Sequence, residues 1–202
     1  MRTKFGWFTN QIGDELPQKK VIVEAGLSIL REDGLAAFTQ PRIAAKAGLR
    51  QSHLTYYFPT RAALLAGVLD LAVEQQISVA EQAVATCATR EQALAVATRT
   101  VVYHQNTRVL VALCQSTDQD ARLREMFNKL AAGVIGALTE MMRRLGFPVT
   151  DARVDLLHSL IVGLSILALA TGRDDAGGRT TSVLAEALNL LSMPEDAQGA
   201  RA

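Results

Sequence analysis

Apolar residues recur along this chain at helical spacing and almost never alternate. Ile22, Ala25, Ile29 and Leu30 fall three or four apart and mark one face of a helix over 18–33, starting behind Pro17 and ended by Gly34, which tolerates a left-handed turn. Pro41 suits the first turn of a helix, where a missing N–H costs nothing, and Thr39 offers a capping oxygen just before it. With Ile43, Ala44 and Ala47 as an inner face, a short helix is expected through Ala47. Gly48 and Leu49 then make a tight turn into a second short helix, 50–58, whose Leu54 and Phe58 can both face inward. Pro59 and Thr60 stop it and cap the next. Beyond them the pattern predicts helices over about 61–86, 91–106, 108–116, 120–145, 151–172 and 180–192. The breaks are Thr89 before Arg90, Ser116-Thr117-Asp118, Gly146-Phe147-Pro148 and a glycine-containing loop over 172–178.

The expected fold is therefore all-α. An arm over 1–16 carries Trp7 and Phe8, a three-helix domain with a helix-turn-helix covers 17–61, a helical bundle covers 62–192, and 193–202 is a tail. Composition agrees, with 49% apolar and 5% aromatic residues in 202. Cys87 and Cys114 have no Cys-x-x-Cys or Cys/His spacing, which removes a disulfide framework and a metal site and points to a reducing compartment, the cytoplasm. The N-terminus has no apolar core of secretory type, and the longest apolar run, 160–170, falls short of the roughly 20 residues a bilayer needs. Neither export nor a membrane span is expected.

Charge changes the picture locally. The net charge of +1 conceals nine Lys and Arg against five Asp and Glu in residues 1–61, and twelve against fifteen in the remainder. Residues 34–69, 36 in all, contain no Asp or Glu but include Arg42, Lys46, Arg50 and Arg61. A phosphate-facing surface has this character, because each cation there releases condensed counterions and each carboxylate adds repulsion. Two short helices joined by Ala47-Gly48-Leu49 match the unit that lays its second helix in the major groove of double-stranded DNA. With Leu54 turned inward, Arg50, Gln51, Ser52, His53, Thr55, Tyr56 and Tyr57 are left for base edges and phosphates. Tyr57 reads equally as packing, and Phe58 reads as packing. Arg42 and Lys46, either phosphate contacts or a solvated face, gain weight as phosphate contacts from the acid-free stretch. Arg2 and Lys4 read as a minor-groove arm or as a plain tail.

On these residues the chain resembles the TetR family of transcriptional regulators. The resemblance runs from Ile22 to about Leu65 and includes Thr39, Ile43-Ala44, Ala47-Gly48-Leu49, Leu54, Tyr57-Phe58-Pro59, Thr60-Arg61 and Ala63-Leu64-Leu65. It implies a three-helix DNA-binding domain joined by a fourth helix to a helical domain that binds a small effector and forms a homodimer. Three positions depart from the family pattern. Thr55 stands where many members carry Tyr, so the contact credited to that ring passes to Tyr56. Gly26 stands where Ala is commoner, at a helix cost of about 0.5 to 1 kcal/mol unless it admits close packing. Arg61 replaces the usual Lys and is expected to keep its phosphate contact at a helix N-terminus.

The C-terminal part offers polar groups on apolar helices as candidates for a ligand cavity: Tyr103, His104, Met126, Phe127 and His158, with Asn106, Ser159, Ser165 and Met141-Met142 beside them. Taken singly, His104 and His158 read first as core or interface histidines and the Met pairs as core filling. Cys114, among Leu110, Val111 and Leu113, is expected to be a buried small hydrophobe. Leu157, Leu160, Ile161 and Leu164 form one stripe, and Leu184, Leu188 and Leu191 another; paired with symmetry mates they would make a four-helix dimer interface, or else they close the monomer core. No activated nucleophile, catalytic set or cofactor motif is present in the sequence. The reading is a homodimeric repressor released from a palindromic operator by a small molecule. The rival is a ligand-binding or adaptor protein with a basic surface and no sequence-specific DNA binding.

Overall fold

The computed structural model describes residues 9–118, 120–172 and 176–193. These are helical throughout: α1 (Thr9–Asp33), α2 (Gln40–Lys46), α3 (Gln51–Tyr57), α4 (Arg61–Thr86), α5 (Arg90–Val102), α6 (His104–Ser116), α7 (Ala121–Arg144), α8 (Asp151–Thr171) and α9 (Ala176–Leu191), with a 3-10 turn at Leu35–Ala37. The chain divides into two compact units within α4, after Ala72.

The first unit is built on residues that lose all contact with water: Ile22 and Leu30 of α1, Phe38, Ile43 of α2, Leu54 of α3 and Leu64 of α4. Phe38 follows the 3-10 turn and belongs to no helical period, yet it is fully buried. Gly34, at φ 78 and ψ -175, takes a positive-φ, extended conformation open in practice only to glycine, and ends α1 there. Gly26 admits the close approach raised by its position: a Cβ there would lie 2.7 Å from Val68 Cγ2 and 3.4 Å from Phe38. Helix α1 starts at Thr9 rather than behind Pro17, which sits inside it on an exposed side. Residues 1–8 of the expected arm, with Arg2, Lys4, Trp7 and Phe8, lie outside the described residues. Thr39 occupies the N-cap of α2 without a side-chain cap bond, so it caps by backbone shape alone. Thr60 does cap α4, accepting from the Ala63 N–H at 3.0 Å.

In the second unit α8 packs against α5, α6, α7 and α9, and α5 packs against α9 as well. Local signals set the ends of these helices. Thr89 accepts from the Gln92 N–H while the Gln92 side chain accepts from the Ala88 N–H at 2.7 Å, a reciprocal pair of the capping-box kind. Thr150 and Asp120 cap α8 and α7 through their side chains, and Gly146 (φ 72) and Gly172 (φ 55) end α7 and α8. Helix α5 stops at Val102 and α6 begins at His104, earlier than the expected break near 107. Helix α9 begins at Ala176 because Gly177 and Gly178, which read as a loop, are accepted in a first turn. Arg153 is 7% exposed, and its guanidinium donates to the Leu191 and Met193 carbonyls at 2.9 and 3.0 Å, closing the negative end of α9. Residues 194–202 of the expected tail lie outside the described residues.

Two expectations change here. Leu157, Leu184, Leu188 and Leu191 are buried in the chain's own core, and Leu160, Ile161 and Leu164 are half-buried against Val101, Ala168 and Leu184. Helix α8 is apolar nearly all round, so periodicity alone gives it no unique face; the apolar side chains it exposes are Leu156, Ile166 and Leu167, joined by Leu190 of α9. The second concerns length. The run 160–170 is short by itself, but α8 extends it to 21 residues, and α4 and α8 are each long and apolar enough by composition to cross a bilayer.

Candidate nucleic-acid interface and interior cavity

The turn between α2 and α3 follows from its residues. Gly48 takes φ 68, its N–H reaches the Ala45 carbonyl, and the Leu49 N–H reaches that of Ala44 at 2.9 Å. Arg50 is extended and serves as the N-cap of α3, so the helix sets off in a new direction. Buried Leu54 pins its inner side. Two further bonds hold its far end: Gln40 of α2 donates to the Phe58 carbonyl at 3.0 Å, and the Tyr57 hydroxyl donates to Gln18 of α1 at 2.9 Å. Phe58 is half-buried and lies 3.1 Å from where a Cβ on Gly67 would be.

Pinned in this way, α3 turns Arg50, Gln51, Ser52, His53, Thr55 and Tyr56 to solvent, with Tyr56 71% exposed. This face carries hydrogen-bond donors, acceptors and a cation and no acid. Tyr57 departs from the set: half-buried, edge-on to Tyr56 at 5.1 Å and tied to Gln18, it braces the helix. The Thr55 hydroxyl is turned back onto the Gln51 carbonyl.

The flanking cations are already partnered. Arg42 donates to Asp33 and Lys46 to Glu32, each at 2.7 Å. Both acids stand just before the acid-free stretch, at the end of α1, and the fold lays them beside α2. The hydrogen bond from Lys46, followed by that from Ser28, holds the Glu32 carboxyl below its ordinary range. Arg61, expected on phosphate, donates instead to the Phe38 and Leu35 carbonyls at 3.0 and 3.2 Å, with its guanidinium 5.7 Å from the Phe38 ring centre. Its longer reach lets it clasp the 3-10 turn, which a lysine's single ammonium cannot do at two carbonyls in this planar manner. Gln18, Gln40 and Phe38 escaped sequence reading because nothing local distinguishes them from surface amides or a loop aromatic.

The second unit contains a cavity of about 310 Å³ among α4 to α9, open to solvent where exposed Val79 and Ile166 line it. Phe127 and His158 line it; Tyr103, His104 and Met126 do not. Tyr103 is exposed and its hydroxyl donates to Gln105, and Met126 is buried away from the cavity. The early end of α5 turns that cluster outward. Gln76, Asn106, Thr107 and Cys114 are the polar lining the candidate set left out or undervalued. Cys114 is exposed rather than buried, and desolvation pushes its thiol up, away from a reactive thiolate. Burial lowers the His158 pKa, only partly opposed by Asp155, so its imidazole is neutral near pH 7. The Thr100 and Ser165 hydroxyls are turned back onto the Val96 and Ile161 carbonyls. Among the described residues, no group of His, Cys, Asp and Glu is placed to hold a metal ion.

Residues 22–68 match the family model of bacterial regulatory proteins of the tetR family. No curated protein matches the chain. Among solved structures, the fold is similar to a transcriptional regulator from Rhodococcus sp. Rha1 at a TM-score of 0.73 and 16% identity, over 86% of this chain and 95% of that one. A TetR transcription regulator from Haloarcula marismortui gives 0.67 and 18%, over 88% and 100%. A regulator-like protein from Saccharomonospora viridis, solved in complex with choline, gives 0.70 and 18%, over 85% and 95%. At such identities the likeness speaks for the fold.

Proposed function

We propose that this chain, whose residues 22–68 belong to the tetR family of bacterial regulatory proteins, acts as a homodimeric, one-component repressor of transcription. The observation that carries the reading is the solvent face of α3: Arg50, Gln51, Ser52, His53 and Tyr56 exposed together, without an acid, on a helix whose far end is tied to α1 and α2. Arg50 and Gln51 suit bidentate base contacts, and Ser52, His53, Thr55 and Tyr56 suit base edges and phosphates. One seven-residue helix reads few base pairs, so two copies on a palindrome are needed for useful affinity. The exposed Leu156 and Leu167 of α8 and Leu190 of α9, at 60%, 60% and 54%, supply an apolar face for that pairing.

The effector would occupy the cavity of the second unit, with Phe127 and His158 on its wall. The choline complex of the Saccharomonospora protein supports a small-molecule site in this fold. Helix α4 runs from one unit into the other and is the covalent path between reading helix and cavity. An effector that favours one dimer geometry changes operator affinity by its differential binding energy, and the coupling is reciprocal. A cytoplasmic location goes with this reading.

Selection from a random duplex pool at about 150 mM salt, near physiological ionic strength, tests it. A two-fold palindrome is expected, and Arg50→Ala or Tyr56→Ala should weaken its binding while dimer mass and helicity stay unchanged. Salt-sensitive binding with no enriched sequence would turn the assignment to the adaptor reading.

A further inference from the structure

The cavity of the second unit is bounded by residues of six helices, and among its described lining residues there is no Asp, Glu, Lys or Arg. Most of the described wall is aliphatic, from alanine, valine, leucine and isoleucine, with Phe127 as its one Phe, Tyr or Trp ring among the described residues. Gln76, Asn106, Thr107, His158 and Ser159 are polar side chains of the wall with no side-chain hydrogen bond to another described residue. Amide and imidazole groups of this kind present donors and acceptors of either polarity, but they cannot neutralise an ion.

We infer that this cavity takes an uncharged, mainly apolar molecule with one or two hydrogen-bonding atoms, which are met by Asn106 and His158. The inference rests on the reading of the cavity as the effector site. An ion brought here would give up much of its hydration against the apolar wall without gaining a counter-ion from the described lining, which is a net cost. A quaternary ammonium needs a cage of several aromatic rings, and Phe127 stands alone. An anion would meet only the first turn of α6, where Asn106 and Thr107 sit; the partial charge of one helix end is small beside the desolvation of a whole ion. That turn does favour an acceptor atom, such as a carbonyl or hydroxyl oxygen, pointed toward Asn106. The neutral His158 imidazole agrees with an uncharged guest, since it brings no charge of its own into the cavity. At about 310 Å³ the space equals roughly ten liquid-water volumes, room for a guest of two or three rings.

Two dyes with one ring skeleton separate charge from shape. N-phenyl-1-naphthylamine is uncharged with a single N–H, and 8-anilinonaphthalene-1-sulfonate adds a permanent anion; both brighten when they leave water. Titrated into the full chain, the uncharged dye should bind one per chain, and the sulfonate about tenfold more weakly or worse. Competition by 1-naphthylmethylammonium should fail where 1-naphthol succeeds. Ala131→Trp, which fills the cavity, should abolish the uncharged dye's signal with helicity unchanged; Ala97→Phe fills it from α5 and guards against misfolding of the first variant. Equal or tighter binding of the sulfonate or the ammonium, lost in the filled variants, overturns the inference, as does a folded chain that takes up no uncharged dye. The same samples are assayed on the selected duplex. Dye uptake as expected with DNA affinity unchanged would uphold the ligand class and remove the effector reading.

Discussion

Glu32 at the end of α1 accepts a hydrogen bond from the Lys46 ammonium at 2.7 Å, so the basic face of α2 is internally balanced by the helix beneath it. Asp33 does the same for Arg42. A phosphate approaching either cation competes with a carboxylate that is already in place, and part of the Coulomb gain of binding DNA is offset.

Removing that competition should show in generic DNA affinity. Glu32→Gln is expected to tighten binding to an unrelated duplex and to steepen the salt dependence by about one counterion, as Lys46 turns to phosphate. Fluorescence anisotropy across a salt series reads both quantities. An unaltered slope would mean that Lys46 does not reach the backbone.

His158 gives the second unit a pH dependence with a definite sign. Its pKa is lowered in the folded chain, so below the ordinary 6.5 the unfolded chain binds a proton that the folded one refuses. Stability is therefore expected to fall as pH drops from about 6.5 toward the folded pKa, and to be unaffected by this group above it. Urea midpoints between pH 7.5 and 5 should decline less steeply in His158→Gln than in the unaltered chain. Parallel declines would exclude the imidazole as the source.

Arg153 should matter for stability alone. Arg153→Met removes two charge-assisted bonds to the end of α9 and leaves the Leu191 and Met193 carbonyls without their donor. A loss of about 3 kcal/mol is expected from bonds of this kind. Chemical denaturation measures it, and DNA affinity per folded chain should be unchanged.

Gly26→Ala sets helix propensity against packing. The gain of about 0.5–1 kcal/mol from replacing a mid-helix glycine competes with overpacking against fully buried Val68, which typically costs 1–3 kcal/mol, so a net loss of about 1 kcal/mol is expected. Adding Val68→Ala should relieve the clash and return part of the loss. A stabilised single variant would show that α1 and α4 can part at little cost.

The helix-turn-helix was legible because its determinants are local: Gly48 for the left-handed turn, Pro41 for a first turn, Leu54 for the inner face, Thr60 for a cap. What stayed hidden depends on tertiary approach. Glu32 and Asp33 lie just outside the acid-free stretch in sequence and against its cations in space. Phe38 belongs to no period, and Arg153 reads as an ordinary first-turn residue until the end of α9 comes to rest on it. In α8 the apolar positions surround the helix, so Leu156 and Leu157 cannot be told apart by spacing, though one faces water and the other the core. The cavity suffered most, because ending α5 at Val102 instead of 106 reassigns Tyr103 and His104.

The two ties on the far end of α3, Gln40 to the Phe58 carbonyl and Tyr57 to Gln18, bear on how the protein would tolerate error. A reading helix left loose could tilt to salvage some contacts on an imperfect site. Fastened to both α1 and α2, it has no such latitude, and each wrong base pair exacts its full penalty of about 1–3 kcal/mol, independently of the others. Discrimination of that kind is graded and additive, which, on the function proposed above, would let the protein ignore the many near-copies of a target that a genome contains.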